Sequence, residues 1–566
     1  MLNLNANKLY LTKKKEMRMA KINEQDLLDE IRFDIKEKDL IKAKLVLSAL
    51  EHVSRKAQKQ ALFEVSRAED DFAIPLLAGV IAENPDVTES FPQLKETLFS
   101  KILDGPEILS DLLSNTIESP VKALLVEATG EIRFEEAVPI LLDILTNEED
   151  VKIIESAIIA LGMIADPSAV TAVSEYLYSS NYEVIIASIR TLGTLATPGA
   201  IQKLGDRLGG DSDLDLMIID IIAKIQIPEA LEMLNQTLGS QHAHLRTAVK
   251  QKLGGVGVMS IRILIKNLFV DNPDLIIHSL NVLGDIGDSA AISAIRKLLH
   301  HQPEDPNVRF AAYETLGRLP LDKGVYTLAA GLNDPVDNVR NAAAKAIDRH
   351  YNAALAGGIR NLIRSEDPEA LKIMTTIIDS QCDTIFLDLL DEDYFQTPAI
   401  DYLTDKTHPE VRSYFARILE KAGHNDLAKQ ITPEKAAKEK ATLKIFAVDD
   451  SKMILNIYRT VLHNLGCESH LFEFPANALE RVQKEKPDVI LTDLNMPDIT
   501  GIEFTKGVRQ WYSDVELPII MVTTQNEGQD NETAYASGVN DILQKPFTEA
   551  QIGKALAKFA GRQPPF

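Results

Sequence analysis

A pair made of one apolar and one small residue returns at nearly constant spacing through the middle of the chain. It stands at Thr129-Gly130, where threonine takes the apolar place. It follows at Leu161-Gly162, Leu192-Gly193, Ile222-Ala223, Leu253-Gly254, Leu283-Gly284 and Leu316-Gly317. The interval is about 31 residues, inside the range of helical repeats. One full unit reads VRFAAYETLGRL over 308–319, followed by a second apolar stretch, GVYTLAAGL, over 324–332. VRNAAAKAIDRH (339–350) and VRSYFARILEKAG (411–423) continue the pattern without the glycine. Two short helices per unit and no strand pattern predict an all-α solenoid, in which each repeat buries its apolar face on its neighbours. Small Ala and Ser residues in the first helix let paired helices approach closely. Glycine after the last periodic residue reads as a helix stop, because it takes a left-handed backbone at little cost.

The last quarter obeys a different rule. Leu443–Val448, Val489–Thr492 and Pro518–Thr523 are apolar runs too short for helices and without alternation, so they read as buried parallel strands. Amphipathic segments, Lys452–Leu465 and Gly501–Tyr512, lie between them. Strand alternating with helix predicts a doubly wound α/β domain, whose ligands bind beyond the carboxyl ends of the strands. Asp449, Asp450, Asp493, Thr523 and Lys545 stand at or near such ends and are expected to converge on one edge.

That residue set suits phosphoryl transfer. Magnesium takes oxygen ligands at about 2.1 Å and keeps several waters. Asp450 and Asp493 can supply carboxylate oxygens, with Asp449 bound directly or through water. Asp493 can attack phosphorus, Lys545 can offset charge on the transferring group, and Thr523 can donate to a phosphoryl oxygen.

Residues 443–560 resemble the receiver domain of two-component response regulators, on the stretches IFAVDDSKMI (445–454), ILTDLNMPDITG (490–501), PIIMVTT (518–524) and DILQKPF (541–547). The resemblance implies a flavodoxin-like fold of five parallel strands. It makes Asp493 the phosphoacceptor, Asp449 and Asp450 the metal acids, and the backbone carbonyl of Asn495 a further Mg2+ ligand. Thr523 becomes the switch hydroxyl and Lys545 the phosphate-binding lysine, held by a cis bond to Pro546. Two positions depart from the pattern: Ile542 stands where most receivers carry Tyr or Phe, and Thr524 where Ala or Gly is usual. The usual aromatic switch is therefore expected to be replaced by backbone movement over Thr524–Ser537.

The repeats over roughly 105–425 resemble HEAT-type repeats, especially the short bacterial variety also seen in phycobilisome lyases. The likeness extends more weakly to residue 25 through ALFEVSRAEDDFAIPLLAGVI (61–81). HEAT-like repeats also build a di-iron hydroxylase with His-Glu ligand pairs; no His-Glu dipeptide occurs here.

A solenoid needs no single large core, so 566 residues suit one solenoid plus one α/β domain. A net charge of −24 argues against nucleic-acid binding, which needs clustered Lys and Arg. Two cysteines, Cys382 and Cys467, fall in different domains and predict no structural disulfide and a reducing compartment. No run approaches the roughly 20 apolar residues of a membrane span. The basic start lacks the apolar core of a secretory signal, and translation is expected to begin at Met17 or Met19.

The expected organisation is a disordered tail over 1–24, a HEAT-like solenoid over 25–425, a linker over 426–442 and a receiver over 443–566. The expected function is a cytoplasmic response regulator. A histidine kinase or histidine phosphotransfer protein would phosphorylate Asp493, and the solenoid would bind a protein as output or scaffold. No enzyme activity is expected beyond self-catalysed phosphoryl transfer to and hydrolysis from Asp493, and no cofactor other than Mg2+. A phosphate sink for a kinase, or a receiver-regulated lyase-type solenoid, are the alternatives. No helix-turn-helix segment follows the receiver, so a DNA-binding output ranks last.

Overall fold

The computed structural model describes residues 23–116, 119–321, 326–365, 367–432, 443–496, 499–523 and 528–559. Residues 1–22 of the expected tail (1–24), with the candidate start residues Met17 and Met19, lie outside them, while Asn23 caps the helix Glu24–Glu37 that the tail is expected to precede. By compactness the chain divides between Ile225 and Gln226, inside the segment expected to form one solenoid. The second unit holds further repeats together with the α/β domain.

The first unit is helical throughout its described residues. The helices Val151–Ile164 and Tyr182–Leu195 show how the repeat is built. Each opens on a side chain that satisfies otherwise orphaned backbone donors. Asp150 Oδ1 accepts from the Lys152 amide at 2.9 Å, and Asn181 Oδ1 from the Glu183 amide at 3.0 Å. Each buries one apolar stripe, with Ile158, Leu161, Ile189 and Leu192 fully enclosed. Full burial of each such side chain contributes about 1.5–3 kcal/mol.

The recurring glycine does not stop the helix. Gly130, Gly162 and Gly193 all lie inside their helices, which run on for one or two more residues. The stop falls later, at Ala165 (φ 64°) and Ala196 (φ 49°), both left-handed without the help of glycine. The glycine serves helix contact instead. A Cβ on Gly130 would lie 2.8 Å from the Ala160 Cα, and one on Gly162 would lie 2.7 Å from Thr191 Oγ1. Thr191 itself is fixed, because its hydroxyl donates to the Ile158 carbonyl of the preceding repeat at 2.9 Å.

The second unit repeats the device. Thr315 Oγ1 donates to the Leu280 carbonyl at 3.0 Å, and Gly317 faces the Ala346 backbone. Its helices Pro273–Ile286, Pro306–Arg318, Pro368–Asp379 and Pro409–Lys421 begin with proline, whose missing N–H would have no partner at that place anyway. The expected linker is corrected at its start: Asn425–Ile431 is a helix burying Ala428 and Ile431, so residue 426 still belongs to the helical array. Residues 433–442 lie outside the described chain.

The α/β domain is a five-stranded parallel sheet in the order β2-β1-β3-β4-β5. The strands are β1 (Lys444–Val448), β2 (Glu468–Phe472), β3 (Val489–Asp493), β4 (Ile519–Thr523) and β5 (Asp541–Gln544). Helices cover both faces. One core joins Ile445, Leu491 and Val522 to Ile454, Tyr458 and Ile552; the other joins Phe446, Ile490 and Ile519 to Ala478, Phe504 and Val508. Parallel pairing in register brings the carboxyl ends of β1, β3 and β4 to one edge. Cys382 and Cys467 are buried and unpaired. Among the described residues, no helix is long and apolar enough to cross a membrane.

Candidate phosphoryl-transfer site

The site forms where β1 and β3 end. Asp449 directly follows β1, and Asp493 closes β3. Asp449 is fully buried and Asp493 nearly so, while Asp450 faces open space. One oxygen from each of these three acids falls within 4.8 Å of the others, the only such group of metal-ligating side chains among the described residues. Thr523 ends β4 and is buried. Lys545 follows β5, and its amide donates to the Thr523 carbonyl at 2.7 Å. The Lys545-Pro546 bond is cis, as expected. The structure therefore brings together the side chains of Asp449, Asp450, Asp493 and Lys545, joins Thr523 to Lys545 through the backbone, and places Asn495 in the loop after β3 on the same edge.

Local sequence fixes this geometry. Ser451 caps the helix Lys452–Asn464, and its amide donates to Asp449 Oδ1 at 3.0 Å, which orients that carboxylate. Gly501 is required by contact: its amide donates to the Leu494 carbonyl at 2.8 Å, and a Cβ there would collide with the Asp493 carbonyl. Thr500 and Glu503 form a reciprocal cap on the helix Gly501–Val508. Pro497, Asp498 and Thr524 lie outside the described residues. Ile542, at the place of the usual aromatic, packs against Leu494, Met521, Ala534 and Val539.

Lys545 Nζ donates to Asp449 Oδ2 at 2.7 Å and to Asp493 Oδ1 at 3.0 Å. Burial opposes its charge, but Asp449 and Asp493 hold its pKa well above the ordinary lysine value. One ammonium among three carboxylates leaves negative charge uncompensated. Burial, against the pull of Lys545 and with the push of Asp493, raises Asp449 to about 7. Asp450, whose side chain keeps contact with solvent at the cavity, is raised to about 6 by the protein crowded around it and by Asp493. Hard oxygen donors, closely grouped and short of cations, fit a divalent ion such as Mg2+.

The edge is also covered by the repeats of the same unit, which sequence reasoning did not find. Asn307 Nδ2 donates to the Lys545 carbonyl at 2.7 Å, across 238 residues of chain. Phe310 packs on the core around Ile454 and Phe547. Arg459 Nε meets Glu410 Oε2 at 2.6 Å, and the His408 and His463 rings lie 4.8 Å apart. A cavity of about 580 Å³ remains between the acid edge and the helices Ala243–Val256, Pro273–Ile286 and Pro306–Arg318.

A response regulator receiver domain model matches residues 445–557, and a HEAT repeat model matches 106–193, 138–217 and 261–348. Over 121 residues the chain is 35% identical to the chemotaxis protein CheY1 of Helicobacter pylori, covering 21% of this chain and 98% of that protein. It belongs to the response-regulator family. The response regulator is also 29% identical over 144 residues to the sensor histidine kinase GacS of Pseudomonas protegens, covering 24% of its own chain and 16% of the kinase. It thus spans only about a sixth of that relative's length. Among solved structures it is similar to the receiver domain of sensor histidine kinase PA1611 from Pseudomonas aeruginosa PAO1, which has a magnesium ion coordinated in the active site cleft. That match has 27% identity and a TM-score of 0.21, covering 22% of this chain and 100% of that one.

Proposed function

We propose that this response regulator accepts a phosphoryl group on Asp493 from a histidine kinase or histidine phosphotransfer protein in the cytoplasm. Its HEAT-type repeats, over 25–425 by the sequence pattern, form a protein-binding output. The observation that carries the reading is the Asp493 carboxylate at the end of β3. It is 3.0 Å from Lys545 Nζ and grouped with Asp449 and Asp450.

In this reading one Asp493 oxygen attacks phosphorus, and the bond from phosphorus to the donor breaks with its electron pair leaving on the donor. Lys545 offsets charge on the phosphoryl oxygens, and the Thr523 hydroxyl donates to one of them. Hydrolysis reverses the bonding at Asp493: water oxygen joins phosphorus, the acyl oxygen leaves as carboxylate, and the water proton passes to solvent. Asp449, Asp450, Asp493 and the Asn495 carbonyl would hold Mg2+, which supplies Lewis-acid stabilisation of the phosphoryl oxygens. No activity beyond this transfer and hydrolysis is assigned to the chain, and no nucleic acid or membrane partner.

The test is incubation of the full chain with magnesium and acetyl phosphate, read by intact mass. The wild-type protein should gain one hydroxylamine-labile phosphoryl group and Asp493→Asn none. Equal labelling of both proteins contradicts the reading.

A further inference from the structure

The cavity above the acid edge has two walls of different origin. The receiver supplies Asp449, Asp450, Asp493 and Lys545, and the repeats supply Lys250, His278, Asn307 and Glu314 among others. We infer that the repeats complete the phosphorylation site: the Lys250 ammonium, reaching from the helix Ala243–Val256, is a ligand of the phosphoryl group carried by Asp493. The inference rests on the reading of Asp493 as phosphoacceptor.

Three observations carry it. The first is location, because Lys250 and Asp493 line the same cavity. The second is the pairing of charges around it. Lys545 is committed to Asp449 and Asp493, and Arg318 Nη1 is held by Asp285 at 2.8 Å. Among the described residues no carboxylate lies within ion-pair distance of the Lys250 ammonium, on a side chain that is only partly open to solvent. Burial, with Arg246 beside it, lowers its pKa to about 8, while Asp493 and Asp450 act to raise it. A partly buried cation that touches no counter-ion, with Asp493, Asp450 and Asp285 only at a distance, gains from a new anion placed beside it. An aspartyl phosphate carries close to two negative charges in that space, against one on the free carboxylate. The third observation is mechanical. The Asn307 amide binds the carbonyl of Lys545 itself, so the repeats are registered on the residue expected to hold the phosphoryl group.

Lys250 lies in the repeats and outside the receiver segment, so the added ligand is a property of this domain combination. A phosphoryl group held by Lys250 ties the phosphorylated state directly to the repeats. It provides a route for the signal that needs no aromatic at position 542.

The experiment is a titration of the full chain with magnesium alone and then with beryllofluoride, followed by calorimetry. In Lys250→Met, beryllofluoride affinity should fall about tenfold, the loss expected for one charge-assisted contact. Mg2+ affinity should stay the same or rise, because a like charge leaves the site. Lys250→Arg should recover most of the beryllofluoride affinity. A Lys250→Met protein within twofold of wild type, or one losing Mg2+ and beryllofluoride affinity together, overturns the inference. A second reading uses the unaltered protein: acetylation of Lys250, followed by mass spectrometry, should slow several-fold when beryllofluoride binds, and an unchanged rate overturns the inference. Wild-type protein that binds no beryllofluoride refutes phosphoacceptance itself. Wild-type binding with a silent Lys250 refutes the inference alone.

Discussion

Gly501 shows how little room the edge around Asp493 leaves. A Cβ there would strike the Asp493 carbonyl and lie 3.0 Å from the Leu494 Cα. Both are backbone atoms next to the Leu494 carbonyl that the Gly501 amide holds, and cannot swing aside as a side chain could. Gly501→Ala should therefore destabilise the domain by about 1–3 kcal/mol, as overpacking does, and thermal unfolding would register it. Lys545→Met should separate two roles of the same cluster. Removing a cation from beside Asp449 and Asp493 should leave Mg2+ affinity unchanged or raised, while phosphorylation by acetyl phosphate slows about 100-fold. A parallel loss of both would mean that Lys545 only holds the acids in place. The acid set is legible in sequence because each member follows an apolar run or a specific motif. Lys250 is not: RTAVKQKL reads as any solvated helix, and only the fold brings it to Asp493.

At the scale of elements, legibility follows burial. β1, β3 and β4 are covered on both faces and declare themselves as apolar runs, whereas β2 (ESHLF) and β5 (DILQ) are edge strands with mixed exposure and no such signature. Only the receiver resemblance implies them. The repeat glycines are legible in period and misleading in role. A glycine near a helix end looks like a stop, yet Gly162 lies against Thr191 and Gly317 against Ala346. The distinction has a measurable sign. In an open helix, Gly→Ala stabilises by about 1 kcal/mol. Gly254 has nothing within 4 Å of its missing Cβ, so Gly254→Ala should raise the melting temperature. Gly162→Ala should lower it, because Thr191 can yield only by giving up its bond to the Ile158 carbonyl. Denaturant unfolding of the two variants checks both signs.

Across the second unit, the receiver is docked on repeats far from it in sequence, and no periodicity or motif marks that contact. Part of it is expected to respond to acid. His408 accepts from the Glu410 amide through Nδ1 and meets the His463 ring, with Glu410, Arg459 and Arg412 around the pair. Burial and His463 lower His408 to about 4 from the ordinary 6.5, and burial with Arg412 lowers His463. A depressed histidine favours the neutral, docked form. Its contribution is present in full above pH 6.5 and is lost as pH falls toward 4. Hydrogen exchange of the helices Pro409–Lys421 and Lys452–Asn464 should accelerate over that window, after correction for the intrinsic rate. His408→Gln should flatten the change.

Phosphorylation at Asp493 is expected to be felt by the repeats through this docked face. Hydrogen exchange of the full chain with magnesium, with and without beryllofluoride, tests it most directly. The expected result is altered protection in the receiver and also in the helices Ala243–Val256, Pro273–Ile286 and Pro306–Arg318, which wall the cavity over Asp493. Changes confined to 443–559, with those three helices unmoved, would contradict it.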